Sequence, residues 1–180
     1  MFQRIPICDL DGTLIDSDLA LAAAFRSLGV DEAEITYGHV LAEECIRLGL
    51  RVEDYLDAYD PMLVEPFPGV EELLLSLDRW AVCSNKHPRS GWAELDRFGW
   101  TPDLALFADS FDGPKRLGPV LDRLGLSPEE VLFVGDTDHD RNCAAAAGVQ
   151  FALAGWNPRA EVAGDELVLT HPLELIELLR

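Results

Sequence analysis

Asp9-Leu10-Asp11-Gly12-Thr13-Leu14 sets two carboxylates one residue apart, directly after the apolar run Ile5-Pro6-Ile7-Cys8. Far along the chain a second apolar run, Val131-Leu132-Phe133-Val134, delivers Gly135-Asp136-Thr137-Asp138-His139-Asp140. Two strands that each end in acids imply one cluster of negative charge at one edge of a sheet. Carboxylates packed that closely repel, and they coexist around a hard cation or a shared proton. A carboxylate so placed can accept a phosphoryl group covalently, which splits one hard displacement into two easier ones. The residues therefore predict a metal-assisted phosphate site. Asp9, at the strand tip, is the expected nucleophile. Asp11 is close enough to protonate the leaving oxygen and later to deprotonate the attacking water. Gly12 allows a sharp turn where a side chain would obstruct the substrate.

The elements that must carry these residues alternate between strand and helix, which predicts an α/β fold: a Rossmann-like parallel sheet with helices on both faces. Strands are expected at Ile5–Cys8, Trp80–Cys83, Leu104–Phe107 and Val131–Val134, with outer strands at Gln150–Leu153 and Leu167–Leu169. Helices are expected at Val70–Leu77, Ser90–Phe98, Leu117–Leu124 and Asp140–Ala147, the last stopped by Gly148, with an amphipathic stretch at Pro172–Leu179. One segment breaks the alternation. From Asp16 to about Glu65 only helix-like pieces occur, at Leu19–Leu28, His39–Leu48 and Val52–Tyr59. The expected organisation is a core of residues 1–15 and 66–180 with a small all-helical cap of residues 16–65 inserted after the first strand. An insertion there would lie over the carboxyl ends of the strands, where open α/β sheets bind ligands, and would screen the site from water. A pair of surface helices packed elsewhere is the alternative.

Composition narrows the function. A length of 180 residues suits one ordinary domain with a modest insertion, and 48% hydrophobic with 26% charged residues is the balance of a folded soluble protein. A net charge of −19 argues against nucleic acid as a partner, because a phosphate backbone demands basic stripes. No apolar run approaches the ~20 residues of a membrane span. Met1-Phe2-Gln3-Arg4 leads straight into the first strand, so no leader is expected. Cys8, Cys45, Cys83 and Cys143 show no short paired spacing, and buried free thiols in a reducing cytoplasm are the expectation.

Four motifs, in order, resemble those of the haloacid dehalogenase superfamily of aspartate-nucleophile phosphohydrolases, in the branch that looks like phosphoglycolate phosphatase. Asp9 to Leu14 is similar to the first, Ser84-Asn85 to the second, Lys115 stands where the third places its lysine, and Gly135 to Asp140 is similar to the fourth. The likeness runs from Ile5 to about Leu153. It implies a phosphatase acting on a small phosphorylated metabolite, with a phosphomutase or phosphotransferase, or a slow or inactive binding module, as the competing readings. It implies catalytic roles for Asp9, Asp11 and Lys115, and phosphate contacts from Gly12, Thr13, Ser84, Asn85 and Lys115. Mg²⁺ is the natural ion for such oxygen donors. Its expected ligands are Asp9 and Asp136, the backbone oxygen of Asp11, and Asp140 directly or through water. Asp138 is either a supporter or a solvated charge at a helix start, and His139 is expected at the surface. Lys86, one of only two lysines, faces either substrate or solvent. Two features depart from the branch: Arg116 stands where proline often follows the lysine, and the helical insert is short. Tyr37, His39, Arg47 and Tyr55 are polar residues of the insert, read as solvated or packing residues with contact to substrate as the alternative. A monomer or small homo-oligomer is expected.

Overall fold

The computed structural model describes residues 4–180, so part of the sequence expected to rule out a leader lies outside the described residues. In chain order the strands are β1 (Ile5–Cys8), β2 (Ile15–Asp16), β3 (Glu65–Pro66), β4 (Ala81–Cys83), β5 (Leu104–Leu106), β6 (Val131–Gly135), β7 (Gln150–Ala154) and β8 (Val168–Leu169). The α-helices are α1 (Asp18–Ser27), α2 (Leu41–Leu48), α3 (Val52–Ala58), α4 (Val70–Ser76), α5 (Pro88–Phe98), α6 (Gly118–Leu124), α7 (Asp138–Ala147) and α8 (Leu175–Leu178). Six strands form one parallel sheet in the order β5-β4-β1-β6-β7-β8.

The apolar runs behave as two-faced strands. β1 and β6 are buried at every position, as central parallel strands covered on both sides must be. Alternate residues divide between two hydrophobic clusters. Ile5, Ile7, Ala81, Cys83, Val131 and Phe133 pack with Val120 and Leu121 of α6 and Cys143 and Ala144 of α7. Cys8, Val82, Leu132 and Val134 pack on the other face with Leu73 of α4, Leu95 of α5 and Leu175 of α8. Each fully buried aliphatic or aromatic side chain contributes roughly 1.5–3 kcal/mol, so burial on both faces holds the sheet.

The order of the strands fixes where a ligand can enter. The chain leaves β1 toward β4 and β5, then crosses back to β6 on the other side of β1 and continues to β7 and β8. The reversal lies between β1 and β6, and a crevice opens outside the carboxyl ends of strands at such a point.

Between β1 and α4 the chain departs from the sheet. Phe25 of α1 packs on Tyr55 of α3 with ring centroids 4.6 Å apart, and Tyr55 on Tyr59 at 5.7 Å. The segment leaves and returns through a short antiparallel ribbon in which Ile15 pairs with Pro66 and Asp16 with Glu65. No strand was expected at these two ends, because a two-residue strand is too short to show any alternation. Elsewhere the differences are at boundaries. α7 begins at Asp138 rather than Asp140, because Thr137 and Asp140 cap it reciprocally. The C-terminal stretch is a 3₁₀ turn at Pro172–Glu174 followed by the single turn of α8. All four cysteines are free and buried. Among the described residues no helix is long and apolar enough to cross a membrane.

Candidate active site

The Asp9 backbone N–H donates to Val134 O at 2.9 Å, which extends the β1–β6 pairing by one residue and brings the first acidic motif to the reversal point. Leu10 N–H donates to Asp9 Oδ1 at 2.7 Å, leaving Oδ2 to face the buried ammonium of Lys115 at 2.8 Å. The same ammonium lies 2.6 Å from Asp140 Oδ1. Asp9, Asp136 and Asp140 are all buried and each offers an oxygen within 4.8 Å of the others. Residues 9, 115, 136 and 140, distant in sequence, thus meet in one buried cluster, and Asp9 and Asp136 face the cavity beside it.

Two glycines are required by crowding here. Gly12 has φ +76, and a Cβ on it would fall 2.3 Å from Asp136 Oδ2. A Cβ on Gly135 would fall 2.3 Å from Asp140 Cγ. Asp140 also organises its own loop, since Oδ2 accepts from Asp136 N at 3.1 Å, Thr137 N at 3.0 Å and the Thr137 hydroxyl at 2.7 Å. Its other oxygen, Oδ1, is buried without an aligned hydrogen bond although the Lys115 ammonium is adjacent.

The electrostatics follow from three buried carboxylates sharing one cation. Burial pushes the Asp9 carboxyl up to about 6 against the pull of Lys115. Burial, with Asp9 and Asp140 as like charges, pushes Asp136 up to about 8. Burial disfavours the Lys115 ammonium, but Asp140 and Asp9 outweigh it and hold the proton on well above the usual lysine range. Unbalanced negative charge on hard oxygen donors, one of them lacking a hydrogen bond, fits a small divalent cation.

The remaining expected site residues divide into those that face the cavity and those that support it. Ser84 lines the cavity beside Asp9 and Asp11, with its oxygen accepting from Lys86 N at 3.3 Å. Asn85 ties two motifs together: its Oδ1 accepts from Lys115 N at 2.7 Å and its Nδ2 donates to Gly38 O at 3.2 Å. Thr13, expected at the phosphate, is wholly buried and gives its hydroxyl to Asp136 Oδ1 at 3.1 Å. The Asp11 carboxylate pairs with Lys86, 2.7 Å away, and is not part of the acidic cluster. Asp138 is exposed and paired with Arg141, outside the cluster. His139 stacks edge-on against His39 at 5.0 Å. Tyr37, His39 and Tyr55 line the cavity, whereas Arg47 is spent on Glu44 at 2.6 Å.

Three contributors carried no signal in the sequence. Asn157 Nδ2 donates to Asp136 Oδ2 at 2.8 Å and to Gly12 O at 2.9 Å. Trp156 Nε1 donates to Thr13 O at 2.8 Å. Both sit just past the carboxyl end of β7, and only that position could have pointed to them. Arg159, on the same loop, grips Asp18 at 2.5 Å and lies 4.2 Å over the Tyr37 ring, joining the sheet domain to the helical insert.

Strand order, the reversal point and the aspartate–lysine centre mark an open α/β protein with a buried carboxylate cluster at the edge of its sheet where such folds bind ligands. The chain belongs to the haloacid dehalogenase-like hydrolase family, whose signature matches residues 47–154. Within it the chain falls in the phosphoglycolate phosphatase-like branch. It is 31% identical to the phosphoglycolate phosphatase of Aquifex aeolicus, over 98% of this chain and 97% of that one. It is 29% identical to the N-acetylmuramic acid 6-phosphate phosphatase of Pseudomonas aeruginosa, over 99% of this chain and 96% of that one. A haloacid dehalogenase-like family hydrolase from Streptococcus pneumoniae superposes with a TM-score of 0.77 at 21% identity, covering 100% of both chains, a likeness of fold. The protein is accordingly a phosphoric monoester hydrolase.

Proposed function

We propose that the protein is a Mg²⁺-dependent phosphatase that hydrolyses a small phosphorylated metabolite through an aspartyl-phosphate on Asp9. The observation that carries this reading is the buried Asp9 carboxylate at the tip of β1, 2.8 Å from Lys115 and grouped with Asp136 and Asp140. Asp9 attacks phosphorus, Asp11 serves the leaving oxygen and then the water, and the Ser84 hydroxyl and Lys115 ammonium take up charge on the phosphoryl oxygens. Gly12 leaves room for Asp136 and Asn157 beside the first motif, and the backbone N–H of Asn85 supplements Ser84. Mg²⁺, held by Asp9, Asp136, the Asp11 carbonyl and Asp140, would supply charge neutralisation on the transferring group.

Residues 16–65 act as a cap and residues 1–15 with 66–180 as the catalytic core, with the paired residues at 15–16 and 65–66 as the junction. The matched relatives act on phosphoglycolate and on N-acetylmuramic acid 6-phosphate, which supports a small soluble phosphomonoester as substrate class. Four buried free thiols suit a reducing cytoplasm.

Release of inorganic phosphate from p-nitrophenyl phosphate, measured with and without Mg²⁺, tests the reading. Asp9→Asn should abolish release while leaving the thermal transition in place. Activity that survives in Asp9→Asn removes the covalent step, and transfer of phosphate to an added alcohol in preference to water points to a phosphotransferase.

A further inference from the structure

Lys86, the other of the chain's two lysines, lines the cavity with a side chain that is largely buried. An ammonium has three protons, and three acceptors surround this one: Asp11 Oδ1 at 2.7 Å, Tyr59 OH at 3.0 Å and Glu94 Oε1 at 3.0 Å. Tyr59 in turn donates to Glu94 Oε1 at 2.5 Å. Glu94 has no exposed surface at all, and its Oε2 lacks a hydrogen bond. A buried carboxylate is costly unless a cation meets it, and the cation meeting this one is Lys86. The group spans four elements: the loop after β1, the exit of α3 in the helical insert, the loop after β4, and the buried face of α5.

We infer that Lys86 is a positioning residue for Asp11, anchored by Glu94 and Tyr59, and not a ligand of the phosphate. The proposal rests on the assignment of Asp11 as the group that serves the leaving oxygen. With hydrogen bonds to Asp11 and Tyr59 and an ion pair to Glu94, the Lys86 ammonium is committed to protein acceptors. It grips Asp11 through Oδ1, while the Asp11 side chain keeps 30% of its surface open to the cavity. Glu94 is the anchor that retains Lys86 while Asp11 exchanges its proton. Because Tyr59 belongs to the insert, the orientation of Asp11 is tied to how the insert sits on the core.

The test compares kcat/KM, which reports the first chemical step, for an alkyl phosphate and for p-nitrophenyl phosphate, whose leaving group needs no proton. Lys86→Met should lower kcat/KM by about 10–100-fold on the alkyl ester and less than about threefold on the aryl ester, a fraction of the usual worth of acid help. In the Asp11→Asn background the same change should cost nothing further on the alkyl ester. Inhibition by inorganic phosphate should be unchanged, and Lys86→Arg should restore part of the loss. Equal losses on both esters, an undiminished loss without Asp11, or phosphate inhibition weakened tenfold would each overturn the proposal. Glu94→Gln, which keeps the size of the anchor, should reproduce the selective loss in milder form.

A readout independent of turnover uses the scarcity of lysine: ¹⁵N-labelled ammonium groups give two side-chain signals, and Lys86→Met assigns one. That signal should exchange slowly with water, shift in Asp11→Asn and in Tyr59→Phe, and stay in place when phosphate is added. A fast-exchanging signal, or one moved only by phosphate, rejects the role even if the protein hydrolyses no phosphate ester. Absence of hydrolysis with the expected spectrum would instead count against the assigned reaction alone.

Discussion

Asn157 shows how a single amide can govern a charged centre. Its two N–H bonds to Asp136 Oδ2 and Gly12 O hold an acidic oxygen against the turn that carries the first motif. Without it Asp136 would keep only the Thr13 hydroxyl as a side-chain donor. Outer partners of metal ligands tune affinity strongly, so Asn157→Ala should weaken Mg²⁺ activation by about 10–100-fold with an unchanged substrate KM. Titration of activity against Mg²⁺ measures it, and an unchanged activation constant would show that Asp136 needs no such support. Gly12 is constrained by the same neighbours, since its left-handed backbone and the 2.3 Å approach of Asp136 both exclude a side chain.

Among the elements, α7 delivers Asp140 to the acidic cluster, so its start shapes the proposed site as well as the helix. Thr137 and Asp140 satisfy each other's exposed backbone groups in a capping box. Thr137→Ala should cost about 1 kcal/mol of stability, read as a lower urea midpoint with an unchanged slope. It should also loosen Asp140 and reduce turnover. The loop between β7 and β8 is tied to this helix by Glu166, whose carboxylate accepts from Arg141 Nε at 2.7 Å and from its Nη2 at 2.8 Å. These bonds, with Ala163 N–H, hold the Glu166 carboxyl below the usual range against the opposing effect of burial. A depressed folded-state pKa gives stability that is present above the ordinary glutamate value and lost as pH falls through the depressed one. Glu166→Gln should thus destabilise the protein near pH 7, and the gap to wild type should close on acidification, by urea titration at stepped pH.

For the molecule as a whole, folding itself collects like charge. Net charge is −19, and the fold buries three aspartates around one lysine. A cation that binds only the folded form stabilises it by mass action, about 2.7 kcal/mol at a hundredfold excess over Kd. Thermal melts should therefore rise with added Mg²⁺, and Asp136→Asn should abolish most of that rise while NaCl at matched ionic strength does not reproduce it. A rise of equal size in Asp136→Asn would place the cation elsewhere.

Much of the fold was legible because its central strands are unbroken apolar runs and several helices end at a glycine. Continuous apolar runs with acidic ends announced β1 and β6, and glycine stops closed α5, α6 and α7. The acids, the glycine and the lysine that meet at the reversal point were all named from local motifs, since chemistry of this kind needs particular residue types at short spacing. Three-dimensional convergence decided the rest. Thr13 faces Asp136, Asn85 links Lys115 to the insert, and Asn157 and Glu94 enter from elements with no motif of their own. A chain records which residues are neighbours along the backbone, whereas a hydrogen-bond partner is chosen by how sheets and helices pack. That is why Lys86 read equally well toward substrate or solvent until the buried carboxylate of Glu94 was found beside it.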